Sequence, residues 1–500
     1  MVYSCDNCML GMFGLSQYDA TVRNQKIIAP YFFDYLRRYM TAKKPERKNY
    51  YNNVSYVTDS IAWMEDPLFG WCNKNKKSDG SHYDIYKDGL KIYTTIDTRI
   101  QRYAEWACHK HVAEVLQPLF EESKESNINY PYSKTLSSEE TSKKLRNAIR
   151  HSERYRIMKY EKRASDASIE RAFKTPTRMR IFCFKGEKDT VMTPLDSIRY
   201  MKAFLQTGFV SMDPRDGCVR AYVGGLDFSY FAFDKATTSR RMIGSAVQPF
   251  LYALAMENGM TPETEVPNVQ RTYQIEGGSS WTPKNGNRSR YGENVSLKWA
   301  LQQSNNWVAA HLIDRFSPIE LKNMLNRFGL CDPNILPTMS LCLGTCLASV
   351  LEMASAYSTF ANDGNRVSPF FVTKIEDSHG KLISTFQPRV NKVLSHKSAE
   401  NMLVMLNAVV DGGTAHRLRT RYNLNAKIGG KTGTTHNNKD GWFIGVTPKL
   451  VSACWVGGDE GDIHFDNAAY GQGANTALPV FANFMKCLYS DVSLDFSEDD

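Results

Sequence analysis

The order of strand and helix patterns from Phe204 to about residue 485 is the feature that most limits how this chain can fold. A hairpin pattern comes first, with two apolar strands flanking the turn Asp213–Gly217. Long helical patterns follow, and strand patterns return from Gly429. Repeating βαβ units would alternate strand and helix, so grouped strands favour an antiparallel sheet with helices packed on it. The sequence therefore predicts the α+β class, with an antiparallel sheet flanked by helices.

The chain before Phe204 divides by composition. Residues 1–87 are rich in aromatic and polar residues without a sustained period, and 43–82 is predicted to be loop and linker. The alternation from Leu90 to Ile96 predicts a half-buried strand, and Asp97 is predicted to cap the helix that follows. A strand and a helix therefore open the region 88–200, and a polar segment follows them.

The polar segment is strongly basic. Between Lys143 and Arg180 it carries thirteen Lys or Arg residues against four acidic ones. An anionic partner, such as lipid head groups or nucleic acid, would use such a segment. A solvated helical insert explains the same charges without any partner, and it is our prediction here. The segment has too few aromatic residues for a base-stacking platform, so we expect no nucleic-acid partner.

Composition narrows the class of protein further. The 500 residues are 42% apolar and 23% charged, with a formal net charge of +9, which is an ordinary globular balance. No stretch approaches the roughly 20 apolar residues of a membrane span, and the first residues lack the pattern of a signal peptide. The eleven cysteines are scattered rather than spaced as metal ligands. We therefore predict no metal and no cofactor.

Three short segments carry the candidate chemistry. Ser245 is predicted to begin a helix, with Gln248 one turn further along the same face. Residues 304–306, Ser-Asn-Asn, fall inside a helical pattern. Residues 430–435, Gly-Lys-Thr-Gly-Thr-Thr, head a strand that offers a cation, hydroxyl groups and backbone N–H groups. Each segment is common by itself, and their order in one chain makes them specific.

Together these segments resemble the serine, S-x-N and K-T-G motifs of the penicillin-binding proteins and serine β-lactamases. The strand and helix after residue 88, the hairpin at 208–225 and the stretches 351–364 and 431–448 are similar to the transpeptidase half of class A, bifunctional penicillin-binding proteins. The resemblance covers residues 88 to about 485. A β-lactamase is the weaker interpretation, because the chain is long for one.

The resemblance implies a domain organisation. Residues 201–490 would form the transpeptidase, penicillin-binding domain, with the fold of the penicillin-binding proteins and serine β-lactamases. Residues 1–87 would be the remnant of a linker, and 88–200 would lead into the domain with a strand, a helix and the basic helical insert. In that family a membrane anchor and a glycosyltransferase domain come earlier in the chain, and we expect neither in this sequence.

The resemblance also implies the role of each site residue. Ser245 would be the nucleophile that attacks the penultimate D-Ala carbonyl of a stem peptide, and a second peptide's amine would take the acyl group. The backbone N–H groups of Ser245 and Thr434 would form the oxyanion hole. Ser304 and Asn306 would relay protons and hold the substrate amide. The substrate carboxylate would be bound by a cluster on the last strand motif, namely Lys431, Thr432, Gly433 and Thr434.

Gln248 departs from the family pattern, which has a lysine at this position as the expected base. An amide has almost no basicity at neutral pH, and loss of a general base costs on the order of 10²–10⁴ in rate. Three readings stay open: a peptidoglycan D,D-transpeptidase with reduced activity, a pseudoenzyme that binds or scaffolds peptidoglycan, and an enzyme whose base is Lys431.

Partners and location follow from the resemblance alone. It implies peptidoglycan stem peptides and β-lactams as ligands. A separate glycosyltransferase or other cell-wall synthesis proteins would be protein partners. The implied location is the bacterial cell envelope, at the outer face of the cytoplasmic membrane.

Overall fold

A computed structural model describes residues 1–6, 8–11, 27–275 and 278–499. Strands and helices are numbered along the chain. The central sheet has five strands, and every neighbouring pair in it is antiparallel. In spatial order its strands are β18 (Gly429–Thr434), β19 (Asp440–Val446), β20 (Val451–Gly457), β6 (Gln206–Met212) and β7 (Val219–Val223). The predicted α+β class is confirmed.

Helices cover both faces of this sheet. Phe209 of β6 packs against Phe484 of α19 (Leu478–Ser490), with ring centroids 4.8 Å apart. The preceding residue, Gly208, lies against α14 (Val350–Ala361). Because successive residues of a strand point to opposite faces, α19 and α14 lie on opposite sides of the sheet. The core is therefore a helix–sheet–helix sandwich.

A layer of helices lies beyond α14 and at the β18 edge, where it surrounds the candidate site. They are α10 (Gln248–Glu257), α11 (Leu297–Gln302), α12 (Asn306–Phe316), α13 (Pro318–Arg327), α15 (His396–Gly412) and α16 (Arg417–Thr420). Helix α10 contacts α12, α13 and α15, and α15 also contacts α11 and β18.

A second five-stranded sheet joins the first residues of the chain to the main domain. Its spatial order is β16 (Leu382–Thr385), β15 (Val372–Glu376), β3 (Lys91–Thr94), β1 (Val2–Tyr3) and β2 (Met9–Gly11). Strand β1 runs parallel to β3, and the other pairs are antiparallel. Residues 7 and 12–26 of the region 1–87 lie outside the described residues.

The helix after β3 begins where the sequence predicts. The side chain of Asp97 accepts hydrogen bonds from the backbone N–H groups of Arg99 (2.9 Å) and Ile100 (3.1 Å). This cap starts α4 (Thr98–His111), which packs on β7 and α19. A π-helical turn, Val112–Leu116, leads on into α5 (Gln117–Lys124).

The prediction of loop and linker for 43–82 is wrong in part. This segment contains α2 (Asn53–Glu65), which Asn52 caps through the N–H of Ser55 at 2.8 Å, and the short α3 (Trp71–Lys74). No residue of α2 is buried. A helix that buries no face shows no apolar period, so the pattern on which the prediction relied was absent. Before it, α1 (Pro30–Met40) buries Tyr31, Phe32, Leu36 and Met40.

The basic segment is helical except at its end. It comprises α6 (Ser138–Arg150), α7 (Glu153–Arg156), a π-helical turn Ile157–Glu161 and α8 (Asp166–Lys174). Residues 177–180 belong instead to β4, so the helical prediction is wrong for them. Strand β4 (Thr177–Cys183) forms a hairpin with β5 (Gly186–Met192), and α9 (Pro194–Lys202) follows.

The remaining elements are short. They are β8 (Arg241–Met242), β9 (Glu265–Pro267), β10 (Tyr273–Gln274), β11 (Ser280–Trp281), β12 (Asn294–Ser296), β13 (Leu347–Ala348), β14 (Asn365–Val367), β17 (Val390–Lys392), α17 (Ala468–Gly471) and α18 (Gly473–Thr476). Across the part of the chain that the structure describes, no helix is long and apolar enough to cross a membrane.

Candidate active site

Ser245 lies in a 3-10 turn, Gly244–Val247, that runs directly into α10. The turn is held from two sides. Tyr357 of α14 donates its hydroxyl to the carbonyl of Ala246 at 2.7 Å, and the N–H of Ile243 donates to the carbonyl of Cys346 at 3.2 Å. The side chain of Ser245 stays partly exposed while its neighbours are buried. The fold therefore presents this hydroxyl at a rigid surface.

Strand β18 packs directly on the serine turn. A Cβ on Gly244, whose φ is +53°, would lie 2.6 Å from the carbonyl oxygen of Thr434. A Cβ on Gly433 would lie 3.1 Å from that of Ala246. Both glycines permit a backbone approach that any side chain would block. The backbones of Ser245 and Thr434, the two positions expected at the oxyanion hole, are thereby brought side by side.

Gln248 is fully buried at the first position of α10, and both ends of its amide are engaged. Its Oε1 accepts a hydrogen bond from the hydroxyl of Ser304 at 3.1 Å. Its Nε2 donates to Oδ1 of Asn306 at 3.3 Å. Gln248 thus joins the two polar side chains of the Ser-Asn-Asn segment to the serine helix.

Lys431 is the buried cation of the site, with no exposed surface. Its Nζ donates to the hydroxyl oxygen of Ser304 at 2.8 Å and to the carbonyl of Thr432 at 3.0 Å. Among the described residues it forms no ion pair with a carboxylate. Burial without a compensating charge lowers the pKa of Lys431 to about 7. A large fraction of this lysine is therefore neutral near pH 7, which an exposed lysine is not.

The pattern of the Ser-Asn-Asn segment predicts that it lies inside a helix, and this prediction is wrong. The segment lies at the break between α11 and α12. The N–H of Ser304 bonds to the carbonyl of Leu301 (3.0 Å), and the N–H of Asn305 bonds to that of Ala300 (2.9 Å). This is the Schellman motif that ends α11, with Ser304 at φ +53° where glycine is usual. The side chain of Asn305 then caps α12. The helical period of the sequence continues across this break, so the sequence alone does not reveal that one helix ends and another begins.

The left-handed backbone of Ser304 is strained for a residue with a Cβ. Strain of this kind persists only where the surroundings fix the residue, and here two hydrogen bonds hold the hydroxyl. Lys431 donates to it and Gln248 accepts from it. The break between α11 and α12 thus turns the Ser304 hydroxyl toward β18 and the serine helix.

Several residues that sequence reasoning missed complete the site. Asn306 donates its side-chain amide to the carbonyl of Lys284 (2.9 Å), and its backbone N–H bonds to Oδ1 of Asn285 (3.2 Å). The hydroxyls of Thr414 and Thr432 are 2.7 Å apart. The loop at 284–285 carries no motif, so no sequence signal points to it. The Gly-Gly-Thr that ends at Thr414, just after α15, is the one signal that could have been followed.

Thr434 is fixed from the opposite side. Its hydroxyl oxygen accepts the N–H of Gly473, the first residue of α18, at 3.0 Å. A Cβ on Gly473 would overlap the carbonyl oxygens of Gly433 and Trp442. The segment at 472–476 is therefore built against the strand that carries the candidate carboxylate-binding groups.

The hydroxyl of Ser245 makes no hydrogen bond with any described residue. Neither Ser304 nor Lys431 therefore lies within hydrogen-bonding distance of it. Catalytic hydrogen bonds are often long before substrate binds and tighten in the complex. Acyl transfer to Ser245 would require a carbonyl group between its hydroxyl and the Thr434 backbone.

Of the residues that the structure describes, no group of three or more His, Cys, Asp or Glu side chains is placed to hold a metal ion.

Sequence families match most of the chain. The family described as "Penicillin binding protein transpeptidase domain" matches residues 207–486, and the family described as "Penicillin-binding protein middle domain" matches 127–205. Together the two matches include every candidate site residue and the basic segment.

Curated relatives are similar over part of their own length. Penicillin-binding protein 1A of Aquifex aeolicus is 32% identical over 406 residues, which are 80% of this chain and 54% of that protein. Penicillin-binding protein 1A of Neisseria lactamica is 36% identical over 289 residues, 56% of this chain and 36% of that protein. The chain thus spans about half, or less, of the length of these relatives.

Solved structures share the fold. Penicillin-binding protein 1A from Haemophilus influenzae superposes with a TM-score of 0.62 at 21% identity, covering 89% of this chain and 75% of that one. PonA1 from Mycobacterium tuberculosis, in complex with penicillin V, gives a TM-score of 0.55 at 20% identity, covering 83% and 88%. Identities this low are evidence of a common fold alone.

Proposed function

Because this chain belongs to the penicillin-binding protein transpeptidase family, we propose that it is a peptidoglycan D,D-transpeptidase that acts through an acyl-serine. The Ser245 oxygen attacks the carbonyl of the penultimate D-Ala of a stem peptide. The new ester bond forms as the peptide C–N bond breaks, and the terminal D-Ala leaves with the proton. The amine of a second stem peptide then attacks the ester, forms the cross-linking amide and returns the proton to Ser245.

The observation that carries this proposal is the contact between Lys431 and Ser304. A general base must have a pKa near the working pH, and burial lowers the pKa of Lys431 to about 7. When the Ser304 hydroxyl turns its proton from Oε1 of Gln248 to Nζ, 2.8 Å away, it can give that proton to the neutral amine and take the proton of Ser245 in its place. Gln248 holds that hydroxyl but cannot accept a proton. Lys431 therefore takes the role that a lysine at position 248 has in the family pattern.

The same lysine serves the substrate carboxylate only after it is charged. Neutral Lys431 binds a carboxylate weakly, so we assign initial binding to the hydroxyls of Thr432 and Thr434 and to the strand backbone around Gly433. Once Lys431 has accepted the proton, its ammonium group stabilises the bound anion. A carboxylate bound earlier would raise the pKa of Lys431 and slow acylation. The proposed reaction is therefore slower than one with a separate base and a separate cation.

The second candidate function is a catalytically impaired pseudoenzyme that binds or scaffolds peptidoglycan. Gln248 favours it, because its buried amide occupies the base position and both its ends are hydrogen-bonded. In that case stem peptides and β-lactams would bind between Ser245 and β18 without forming an ester.

Fluorescent penicillin distinguishes the two functions. The transpeptidase predicts a covalent adduct on the peptide that contains Ser245, located by mass spectrometry and absent in Ser245→Ala. A synthetic stem peptide ending in D-Ala-D-Ala should then release D-Ala. A protein that binds penicillin reversibly but forms no adduct over hours would be the pseudoenzyme.

The proposed ligands and place follow from the same family. Peptidoglycan stem peptides are the substrates, and β-lactams are the inhibitors that imitate them. We propose that a glycosyltransferase, or other cell-wall synthesis proteins, supplies glycan strands. The reaction would then take place at the outer face of the cytoplasmic membrane.

A further inference from the structure

The basic segment at 143–180 lacks the acidic residues needed to neutralise it. All four of its acidic side chains are already paired within the segment. Arg156 binds two of them, and Lys159 and Lys174 bind one each; the partners are Glu153, Glu161, Asp166 and Glu170. The other cations of the segment must find anions elsewhere or remain unpaired.

Eight of these cations are exposed and form no ion pair or side-chain hydrogen bond within the described part of the chain. We call them the basic surface. They are Lys143, Arg146, Arg150, Arg154, Lys162, Arg163, Arg171 and Arg178. Exposed charges of one sign at this density repel each other, so without an anionic ligand they destabilise the segment.

The orientation of α6 turns its cations away from the protein. Lys144 reaches the main domain, with Nζ 3.4 Å from Glu460 and 2.8 Å from Asp462, and Leu145 beside it is buried. Lys143, Arg146 and Arg150 follow at spacings of three and four, which places them along one exposed face. The ion pairs of Lys144 thus fix the orientation of α6, and Lys143, Arg146 and Arg150 face solvent.

An exposed aromatic ring accompanies the cations. Tyr160 is 71% exposed and lies between Lys159 and the pair Lys162 and Arg163 in the chain. A tyrosine ring surrounded by cations suits the boundary of a bilayer, where the ring meets acyl chains and the cations meet phosphates.

We propose that the basic surface binds the head groups of an anionic lipid bilayer. Its cations lie on α6, α7 and α8, at Lys162 and Arg163 before α8, and at Arg178 of β4, so a partner that presents many anionic groups over an area suits them. Single-stranded nucleic acid is bound by successive aromatic rings, whereas Tyr160 is the one large aromatic side chain exposed between residues 143 and 180. The family builds the cell wall in the envelope, where phospholipid is the abundant polyanion. This inference does not depend on the acyl-transfer chemistry.

The test is co-sedimentation of the full chain with vesicles. Vesicles of phosphatidylglycerol and phosphatidylcholine should bind it, and pure phosphatidylcholine should not. Binding should weaken steeply with salt, because the screening length falls from about 10 Å at 0.1 M to about 3 Å at 1 M. Each cation near an anionic bilayer contributes about fivefold, so K143Q/R146Q/R150Q should reduce partitioning by on the order of 10².

A matched variant separates the basic surface from net charge. K44Q/K381Q/K427Q removes three exposed cations, none of them in an ion pair with a described residue, from other parts of the molecule. It should bind vesicles nearly as wild type does. An equal loss in both triple variants, no vesicle binding by wild type, or tighter binding to duplex DNA than to vesicles would overturn the proposal.

Discussion

The side-chain nitrogen of Lys431 lies 2.8 Å from the hydroxyl oxygen of Ser304, a residue 127 positions earlier in the chain. This bond joins strand β18 to the break between α11 and α12. It is the one link in the site between a group that can accept a proton at neutral pH and a hydroxyl that faces the serine helix.

The rate of penicillin acylation should rise with pH through about 7. The neutral amine of Lys431 is the proton acceptor, and the neutral fraction grows as the pH passes its lowered pKa, about 7. Stopped-flow acylation rates measured between about pH 5.5 and 9 would give the profile. Lys431→Arg keeps the charge but cannot lose its proton, so its rate should be lower by on the order of 10²–10⁴ and nearly independent of pH. The same midpoint in that variant would rule Lys431 out as the base.

Ser304→Ala and Ser304→Gly should lose acylation to the same extent, because both remove the hydroxyl that contacts Lys431. They should differ in stability. Glycine adopts φ +53° freely, so the glycine variant should be more stable than the alanine variant by about 1 kcal/mol in denaturant unfolding. Adding Lys431→Arg should cost little further rate, because two residues of one relay are not additive. Additive losses would mean that they act separately.

Gln248→Lys should raise the rate of penicillin acylation by at least about tenfold, because it supplies a base at position 248 and leaves Lys431 free to bind the substrate carboxylate as a cation. The stems of Gln and Lys have similar girth, and the new amine would face the Ser304 hydroxyl and Oδ1 of Asn306, which contact the amide now. Gln248→Met is the matched control, since it fills the space without a base. If wild type already acylates as fast as the lysine variant, position 248 does not limit the rate.

Gly473→Ala should slow acylation by about 10²-fold, since displacements of about 1 Å at a site have effects of this size. Its Cβ would overlap the carbonyls of Gly433 and Trp442 and break the bond from the Gly473 N–H to Thr434. Gly286→Ala is the control, because a Cβ there meets no heavy atom within 4 Å. Equal acylation rates in both variants would show that α18 does not position Thr434.

Lys124→Met should lower the free energy of unfolding by about 3–5 kcal/mol. Lys124 is fully buried and pairs with Asp466 at 2.6 Å, so its loss leaves a largely buried carboxylate with a hydrogen bond from Ser133. Lys110→Gln provides the comparison, because its ion pair with Glu114 is about half exposed and should contribute less than about 1 kcal/mol. Urea unfolding measures both. Equal losses of unfolding free energy would mean that burial does not make the pair of Lys124 and Asp466 more stabilising than an exposed pair.

Local patterns predicted the elements whose causes are local. Apolar strands flanking the turn at 213–217 identified the hairpin of β6 and β7, and a carboxylate one residue before a helical period identified the cap at Asp97. The grouping of strands and helices predicted the antiparallel sheet. Two predictions failed because the local pattern was missing or misleading. Helix α2 buries no face and so shows no apolar period, and the helical spacing of the sequence runs on through the break at Ser304.

The sequence by itself determined which side chains a site could use: Ser245, Gln248, Ser304, Asn306 and Lys431, in that order along the chain. Only the tertiary structure decided how they behave. Packing by elements far apart in sequence removes water from Lys431 without supplying a carboxylate, and this desolvation lowers its pKa to about 7. The penalty depends on every group around the amine, and no neighbouring residue in the chain encodes it.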